Sequence, residues 1–380
     1  MRFFYVEAMG CQGNRADAAR IHVFLEKNGW RESLLEAADL VVINSCAFTK
    51  FQEDQAVALL GRTRNAMKLG ARLVVAGCLG SIAPNTLAEF DCEMVTPRNL
   101  EELDRIAGPI QTSIQTIPSA VLESGVYSLR VANGCLGACA YCAIPIANGR
   151  LYSTPIDTIA LHLERQVAKG NRTFKLVGED VGAYGLDLGL TLPDLLNELQ
   201  RRHLGATVII DSINPNWALR YFDSLVNHMK NRLVSEHIYI PFQSGSDRVL
   251  REMRRRYSVA DVEHLYSSLL KAVPTVQIST DVMVGFPGET DEDFRLSLDL
   301  YRKFPFALVQ VFAYEDREGI EAAKMAEKVP EVVKRQRQEA MVAEILTRLF
   351  RENKVSTREE LLHFLGRTDV LPVNVNHHLT

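Results

Sequence analysis

The segment NGCLGACAYC carries Cys135, Cys139 and Cys142, spaced four and then three positions apart. Three thiolates this close can grip three corners of one metal centre. Soft thiolate ligands favour iron–sulfur clusters or zinc. A structural zinc site calls for a fourth Cys or His close by, and the stretch after Cys142, AIPIANGRLYST, holds neither. A four-iron cube on three cysteines keeps one iron without a protein ligand, and an open iron can bind a cofactor or substrate. The bland alternative, three buried thiols clustered by chance, is remote in a chain with 7 cysteines.

The remaining cysteines point the same way. Cys11 lies in VEAMGCQGN, Cys46 in VVINSCAF and Cys78 in LVVAGCLG, each closing a short apolar run. Phe3 to Val6, Leu40 to Ile43 and Leu73 to Ala76 read as buried strands. A helix from about Arg15 to Asn28 shows Ala18, Ile21 and Leu25 on one face and stops at Gly29. Strand–helix alternation predicts a parallel sheet, whose strand C-termini share the ligand-binding edge. Three cysteines distant in sequence should therefore meet on one rim and hold a second cluster, again with one open iron. Each taken singly is an ordinary core cysteine; the recurrence in three units argues otherwise. Cys92 fits no pattern and reads as an idle thiol.

The 380 residues are 47% hydrophobic, enough for packed cores in two domains. No apolar stretch is long enough to span a membrane, and MRFFYVEAMG lacks the apolar core of a signal peptide. Cysteines kept reduced for clusters imply the cytoplasm. The net charge of −4 gives no overall basic footprint for nucleic acid. Four segments are expected: an N-terminal α/β domain of Rossmann or flavodoxin type over 1–107, a linker over 108–125, a partial TIM-type (β/α)6 barrel over 126–337, and a helical tail over 338–380. In the barrel, strands near 127–132, 174–178, 206–211, 237–242, 275–285 and 306–314 alternate with helices near 192–203, 217–230, 259–271 and 291–303. Barrels place chemistry on the loops after strands. The cysteine loop, GEDVGAYG, SINP, QSGSD and GFPGET all fall there.

Tyr141 completes a C-x3-C-x-aromatic-C pattern, which resembles the signature of the radical S-adenosylmethionine (SAM) superfamily. GCQGN, INSCA and AGCLG resemble the N-terminal domain of the radical SAM methylthiotransferase family. NGCLGACAYC, VGEDVGAYGLD, PFQSGSDRVLREMRRRYS, STDVMVGFPGETDEDF and YEDREGIEAAKM resemble its central domain, in order. The resemblance runs over roughly residues 3–340. Within the family, GEDVGAYGLDLG and GCLGACAYC are most similar to the branch that methylthiolates threonylcarbamoyladenosine in tRNA.

That resemblance implies two [4Fe-4S] clusters and SAM. The cluster on Cys135, Cys139 and Cys142 would chelate SAM and give a 5′-deoxyadenosyl radical. The one on Cys11, Cys46 and Cys78 would deliver sulfur for a new C–S bond. It also implies SAM-side contacts from Tyr141, Glu179, Ser212, Gln243, Ser244, Gly285 and Arg317. A carboxylate at Glu179 would face the SAM ammonium; a solvated loop acid is the competing reading. The glycines of GFPG would let backbone approach adenine or merely make a tight turn. Arg254, Arg255, Arg256 and Lys271 read as a solvated helix face or as contacts to an anionic substrate. A reductant such as flavodoxin or ferredoxin is the expected protein partner.

Departures from the family pattern shape the expected substrate. Asp211 and Thr154 stand where arginines are usual, Tyr239 where His is usual, and Ile320-Glu321 replaces Thr-Pro. After position 338 come two helices, the second opening with a Ser356/Glu359 capping box, and a tail holding His377 and His378. A small RNA-binding barrel does not fit there. The main expectation is a sulfur-inserting enzyme acting on a small, nucleoside-like molecule. The alternative is a tRNA threonylcarbamoyladenosine methylthiotransferase, and a remote third reading is a non-catalytic iron–sulfur redox sensor.

Overall fold

The computed structural model describes residues 1–352. The second tail helix expected from STREELLHFLG, with Ser356 and Glu359, lies outside the described residues, as do His377 and His378. By compactness the chain forms two units. One holds residues 1–137, 143–208 and 317–319; the other holds 138–142, 209–316 and the chain from 320 onward. The boundaries at 126 and 337 read from motif order are not those of compactness.

The first unit opens with a five-stranded, fully parallel sheet: β1 (Arg2–Ala8), β2 (Trp30–Glu32), β3 (Leu40–Ser45), β4 (Arg72–Gly77) and β5 (Glu93–Val95). The strand order is β2-β1-β3-β4-β5, and register places Val6 opposite Val42 and Val42 opposite Val74. The flanking helices are α1 (Gln12–Lys27) and α2 (Lys50–Ala66). Phe4, Ile21, Phe24, Leu25, Leu40, Val42 and Val74 share one buried cluster. β3 is buried at every position and β4 at all but Arg72, and burial on both faces explains why these two read as apolar runs rather than alternating patterns. Gly29, at φ +79, ends the first helical turn series where the sequence placed its stop. β2 and β5 have only 3 residues each, too short to show a periodic signal.

The stretch expected to be a linker is structured. Ile114 and Ile117 belong to the same buried cluster, Ile114–Thr116 form a 3-10 turn and Ala120–Glu123 form a strand. Asn28 supplies what the local sequence lacks. Its Oδ1 accepts from the N–H groups of Gln111 and Thr112 at 2.6 and 3.0 Å, and its Nδ2 donates to Thr112 O at 2.8 Å. These bonds span more than 80 positions, so local composition could not show them.

In the same unit, the strand Val126–Arg130 pairs antiparallel with Ala120–Glu123 and parallel with Thr173–Val177. That sheet extends to Thr207–Ile210. The second unit carries His237–Tyr239, Gln277–Val284 and Phe306–Ala313, in that order and parallel. From Val126 onward six strands alternate with helices along the chain, in the expected (β/α)6 order of elements. The helix expected over 217–230 is two, Pro215–Arg220 and Phe222–Lys230. Tyr266, Phe304 and Phe306 pack edge to face in the second unit's core, with Phe242 tilted against Phe306. The helix Glu331–Arg351 buries Met341, Val342, Ile345 and Leu349. Among the described residues no helix is long and apolar enough to cross a membrane.

Candidate iron–sulfur centres and their surroundings

Cys11 follows β1, Cys46 follows β3 and Cys78 follows β4, so the three occupy the C-terminal tips of adjacent parallel strands. Cys92 precedes β5 and therefore lies at the opposite edge of the sheet. Cys11 is also the N-cap of α1, where the helix end favours negative charge. The turns are tied together by side-chain amides. Asn14 Nδ2 donates to Ser45 O at 2.9 Å and Met9 O at 3.2 Å, and Asn44 Nδ2 donates to Asn14 O at 2.6 Å. Gly10, at φ +102, allows close approach: a Cβ there would sit 2.4 Å from the Cys46 Cβ.

Electrostatics show that the thiols sense one another. Burial, followed by the Cys11 charge, pushes the Cys46 thiol up to about 11. Burial, followed by Cys46 and Cys11, pushes Cys78 well above the usual thiol range. Three thiolates so placed need a compensating cation. No three Cys, His or carboxylate groups among the described residues converge tightly enough to hold a single metal ion. A four-iron cube asks for less convergence, because each thiolate bonds a different iron. The donor chemistry and the glycine-relieved turn fit such a cluster.

Next to this rim lies a network that sequence reasoning missed. Arg130 is buried, with its guanidinium 3.3 Å from Asp17 and 3.0 Å from Glu179. It also donates to Asn133 Oδ1 at 2.7 Å, and a Cβ on Gly13 would lie 2.0 Å from its Nη2. Asp17 and Glu179, then Cys11 and Cys78, raise its pKa against the effect of burial. The one sequence signal was a charge inside the apolar strand preceding the cysteine loop. Glu179 uses Oε1 for both Arg130 and Asn148 Nδ2, the latter at 2.8 Å. Its Oε2 is buried with no hydrogen-bond partner. Burial raises this carboxyl's pKa although Arg130 opposes it. A buried acceptor with a free oxygen fits an incoming ammonium, such as that of SAM. Arg317 is buried and ion-paired with Glu53, and its charge reaches Cys46.

Cys135 lines a cavity of about 760 Å³ in the first unit, together with Arg98, Asn133, Asn148, Arg150 and Tyr152. Its N–H donates to Gly149 O at 3.2 Å, and the Gly137 N–H donates to its Sγ at 3.1 Å. Cys139, Tyr141 and Cys142 belong to the second unit. There the Cys142 N–H donates to Cys139 O at 3.1 Å, and the loop is held through Ala140, which bonds Met253 O and receives the Ala322 N–H. Arg255 Nη1 donates to Cys139 Sγ at 3.3 Å, and its guanidinium lies 6.0 Å from the Tyr141 ring centroid. Thus Arg255 is not part of a solvated helix face. Arg256 and Lys271 are exposed, and exposed Arg254 pairs with Glu321 at 3.5 Å.

The remaining predicted positions divide between framework and open roles. Ser244 is fully buried, and its Oγ accepts from the Ser246 N–H at 3.2 Å and meets Ser297 Oγ at 3.5 Å. Gln243 is buried at φ +68, its backbone bonded to Asp281 O and to the Met283 N–H. The close approach at Gly285 (φ +72) is to Lys334, whose Cγ would lie 2.4 Å from an added Cβ. Ser212 is half-buried after Thr207–Ile210. Of the altered slots, Tyr239 donates to Asp281, and burial with Asp281 and Asp211 raises its phenol well above the usual range. Thr154 contributes backbone, accepting from Tyr184 OH at 2.6 Å.

Two family models match the chain. Residues 129–301 match the radical SAM superfamily, and residues 3–96 match the uncharacterized protein family UPF0004. A probable threonylcarbamoyladenosine tRNA methylthiotransferase of Archaeoglobus fulgidus is 31% identical over 87% of this chain and 80% of its own length. A threonylcarbamoyladenosine tRNA methylthiotransferase of Thermotoga maritima is 31% identical over 89% of this chain and 80% of its own length. The chain belongs to the radical SAM methylthiotransferase family. It is a radical SAM enzyme, and its family uses SAM and two [4Fe-4S] clusters. Among solved structures, the radical SAM methyltransferase TsrM of Kitasatospora setae superposes with a TM-score of 0.63. It covers 85% of this chain and 77% of its own at 13% identity, which shows a shared fold alone.

Proposed function

We propose that this enzyme methylthiolates threonylcarbamoyladenosine in tRNA. The observation that carries the reading is 31% identity with threonylcarbamoyladenosine tRNA methylthiotransferases over nearly nine-tenths of the chain. It favours the alternative weighed from the sequence over the small, nucleoside-like substrate that was the main expectation. The two cysteine sets would each hold a cluster, one to supply an electron for SAM cleavage and the other to supply sulfur for the substrate. We assign Cys135, Cys139 and Cys142 to the first and Cys11, Cys46 and Cys78 to the second. Glu179 Oε2 receives the SAM ammonium, and Arg130 holds that carboxylate in place from the opposite side. Gln52, whose Oε1 lies 3.3 Å from Cys46 Sγ, and Asn14 fix the rim. A flavodoxin- or ferredoxin-type reductant supplies electrons, in a reducing compartment such as the cytoplasm.

A second reading rests on one observation. Tyr239, Asp281 and Asp211 interact where a basic lining would suit an anionic nucleic acid. Those groups suit a compact substrate bearing amines or hydroxyls. The test is incubation of reconstituted protein with SAM, a reductant and tRNA carrying threonylcarbamoyladenosine, followed by mass analysis of the nucleosides. A methylthio group on that adenosine supports the proposal. Abundant 5′-deoxyadenosine with unmodified tRNA would replace it with the second reading. No 5′-deoxyadenosine at all would leave the redox-sensor reading.

A further inference from the structure

We propose that Arg255 is a positioning residue that fixes the Cys139 ligand and raises the reduction potential of the cluster on Cys135, Cys139 and Cys142. The inference rests on the assignment of those cysteines as cluster ligands.

The backbone aims Arg255 away from the helix before it. Asp247–Glu252 is helical, Arg254 turns left-handed at φ +57, and the Arg255 N–H returns to Leu250 O at 2.8 Å. This αL hook is a helix-ending device usually given to Gly. It separates Arg255 from its exposed neighbours Arg254 and Arg256, although all three look alike in the run MRRRYS.

The guanidinium is held on three sides. Nε donates to Tyr257 OH at 2.8 Å, Nη2 donates to Pro241 O at 3.4 Å, and the Tyr257 ring lies 5.3 Å from its carbon. Tyr257 is itself buried and bonded to Pro241 O and Phe242 O at 3.2 and 3.1 Å. A planar fork fixed at Nε and Nη2 leaves Nη1 one direction, and there it meets Cys139 Sγ at 3.3 Å.

Charge balance completes the case. Among the described residues, no carboxylate forms an ion pair with Arg255. Arg stays protonated at any working pH, so its nearest anionic partner is the ligand thiolate. A cation and an N–H···S bond both favour the state with one more electron, and hydrogen bonds to sulfur are an established control of cluster potential. The two tyrosine rings, one of them in the cysteine loop, flank the guanidinium carbon at 6.0 and 5.3 Å and help hold it in place.

The test uses the full chain carrying Cys11, Cys46 and Cys78 changed to Ala, so that one cluster signal remains, with Arg255→Met and Arg255→Lys added. Iron content and the midpoint potential from spectroscopic redox titration are read. Arg255→Met with full iron should shift the midpoint downward by about 59 mV or more, a tenfold change in the one-electron equilibrium. Arg255→Lys, which keeps the charge without the fork, should fall between. An unchanged midpoint in an iron-replete Met variant overturns the proposal. If the Met variant does not hold iron, a Lys variant with the parental midpoint overturns it. Should the signal persist when Cys135, Cys139 and Cys142 are replaced as well in that chain, the ligand assignment fails, and that failure is separate from the role of Arg255.

Discussion

Arg130 and Asp293 show how single buried charges are stabilised in this chain. Arg130 faces two buried carboxylates, and Asp17 is held in addition by Ser119 Oγ at 2.5 Å. Removing the cation strands two acids, a loss of about 3–5 kcal/mol for a broken buried pair. Arg130→Met should lower the urea-unfolding stability of the metal-free protein by that order, with Arg130→Lys losing less. Asp293 accepts from Ser246 Oγ at 2.5 Å, from Thr290 N–H and O–H at 2.8 and 2.6 Å, and from Arg248. Burial would raise this carboxyl, but these donors outweigh it and lower it below its ordinary 3.8. A depressed folded-state value means stability that is complete above about pH 4 and lost on acidification through the folded value. Asp293→Asn should therefore be less stable than the parent near neutrality, by roughly 0.5–2 kcal/mol as for a lost helix cap. The gap should narrow below pH 4; a constant gap in urea midpoints across that range would refute the assignment.

Turns and short strands decide the geometry of the rim. At Gly10 a methyl group would press on the Cys46 Cβ and need a left-handed backbone. Gly10→Ala should cost the N-terminal set its cluster and leave about half the parental iron per chain, measured after reconstitution. Asn28→Ala removes the anchor of the 111–112 segment and orphans backbone groups worth about 1–3 kcal/mol. Faster proteolysis near 108–118, with the sheet otherwise intact, is the expected result. Both cases mark the limit of reading by sequence. The three cysteine-bearing strands were legible because each holds an apolar run closed by Gly, Asn or Ser just before its cysteine, aromatic in β1 and buried aliphatic in β3 and β4. The pairing of residues 111–112 with Asn28 was not, because its partners lie far apart in the chain. Arg130 and Arg255 were hidden for a related reason: an arginine's letter does not tell whether its head meets water, a carboxylate or sulfur.

At the scale of the whole molecule, two cysteine sets predict additive iron. The Cys135/Cys139/Cys142→Ala protein should keep half the iron, and so should the Cys11/Cys46/Cys78→Ala protein. Only the latter should still cleave SAM. A variant that loses all iron while its circular dichroism stays native would contradict independent sites. The expected parallel sheet and strand–helix series were read correctly from motif order, since successive units repeat one pattern. For the substrate, the comparisons favour the tRNA alternative over the small-molecule expectation, because similarity spread over nearly the entire chain outweighs a few altered side chains.

The three tips of β1, β3 and β4 carry one further consequence. Side chains alternate along a strand, so a slip of one position turns a tip residue to the other face. Cys11, Cys46 and Cys78 come together only if both ladders between those strands pair correctly. Iron capture at this rim thus acts as proofreading of sheet assembly: a misregistered chain lacks a complete trio and takes up no cluster there. In the Cys135/Cys139/Cys142→Ala protein, where this rim is the remaining site, the brown colour after reconstitution would then report the fraction of chains whose first domain has reached its native pairing.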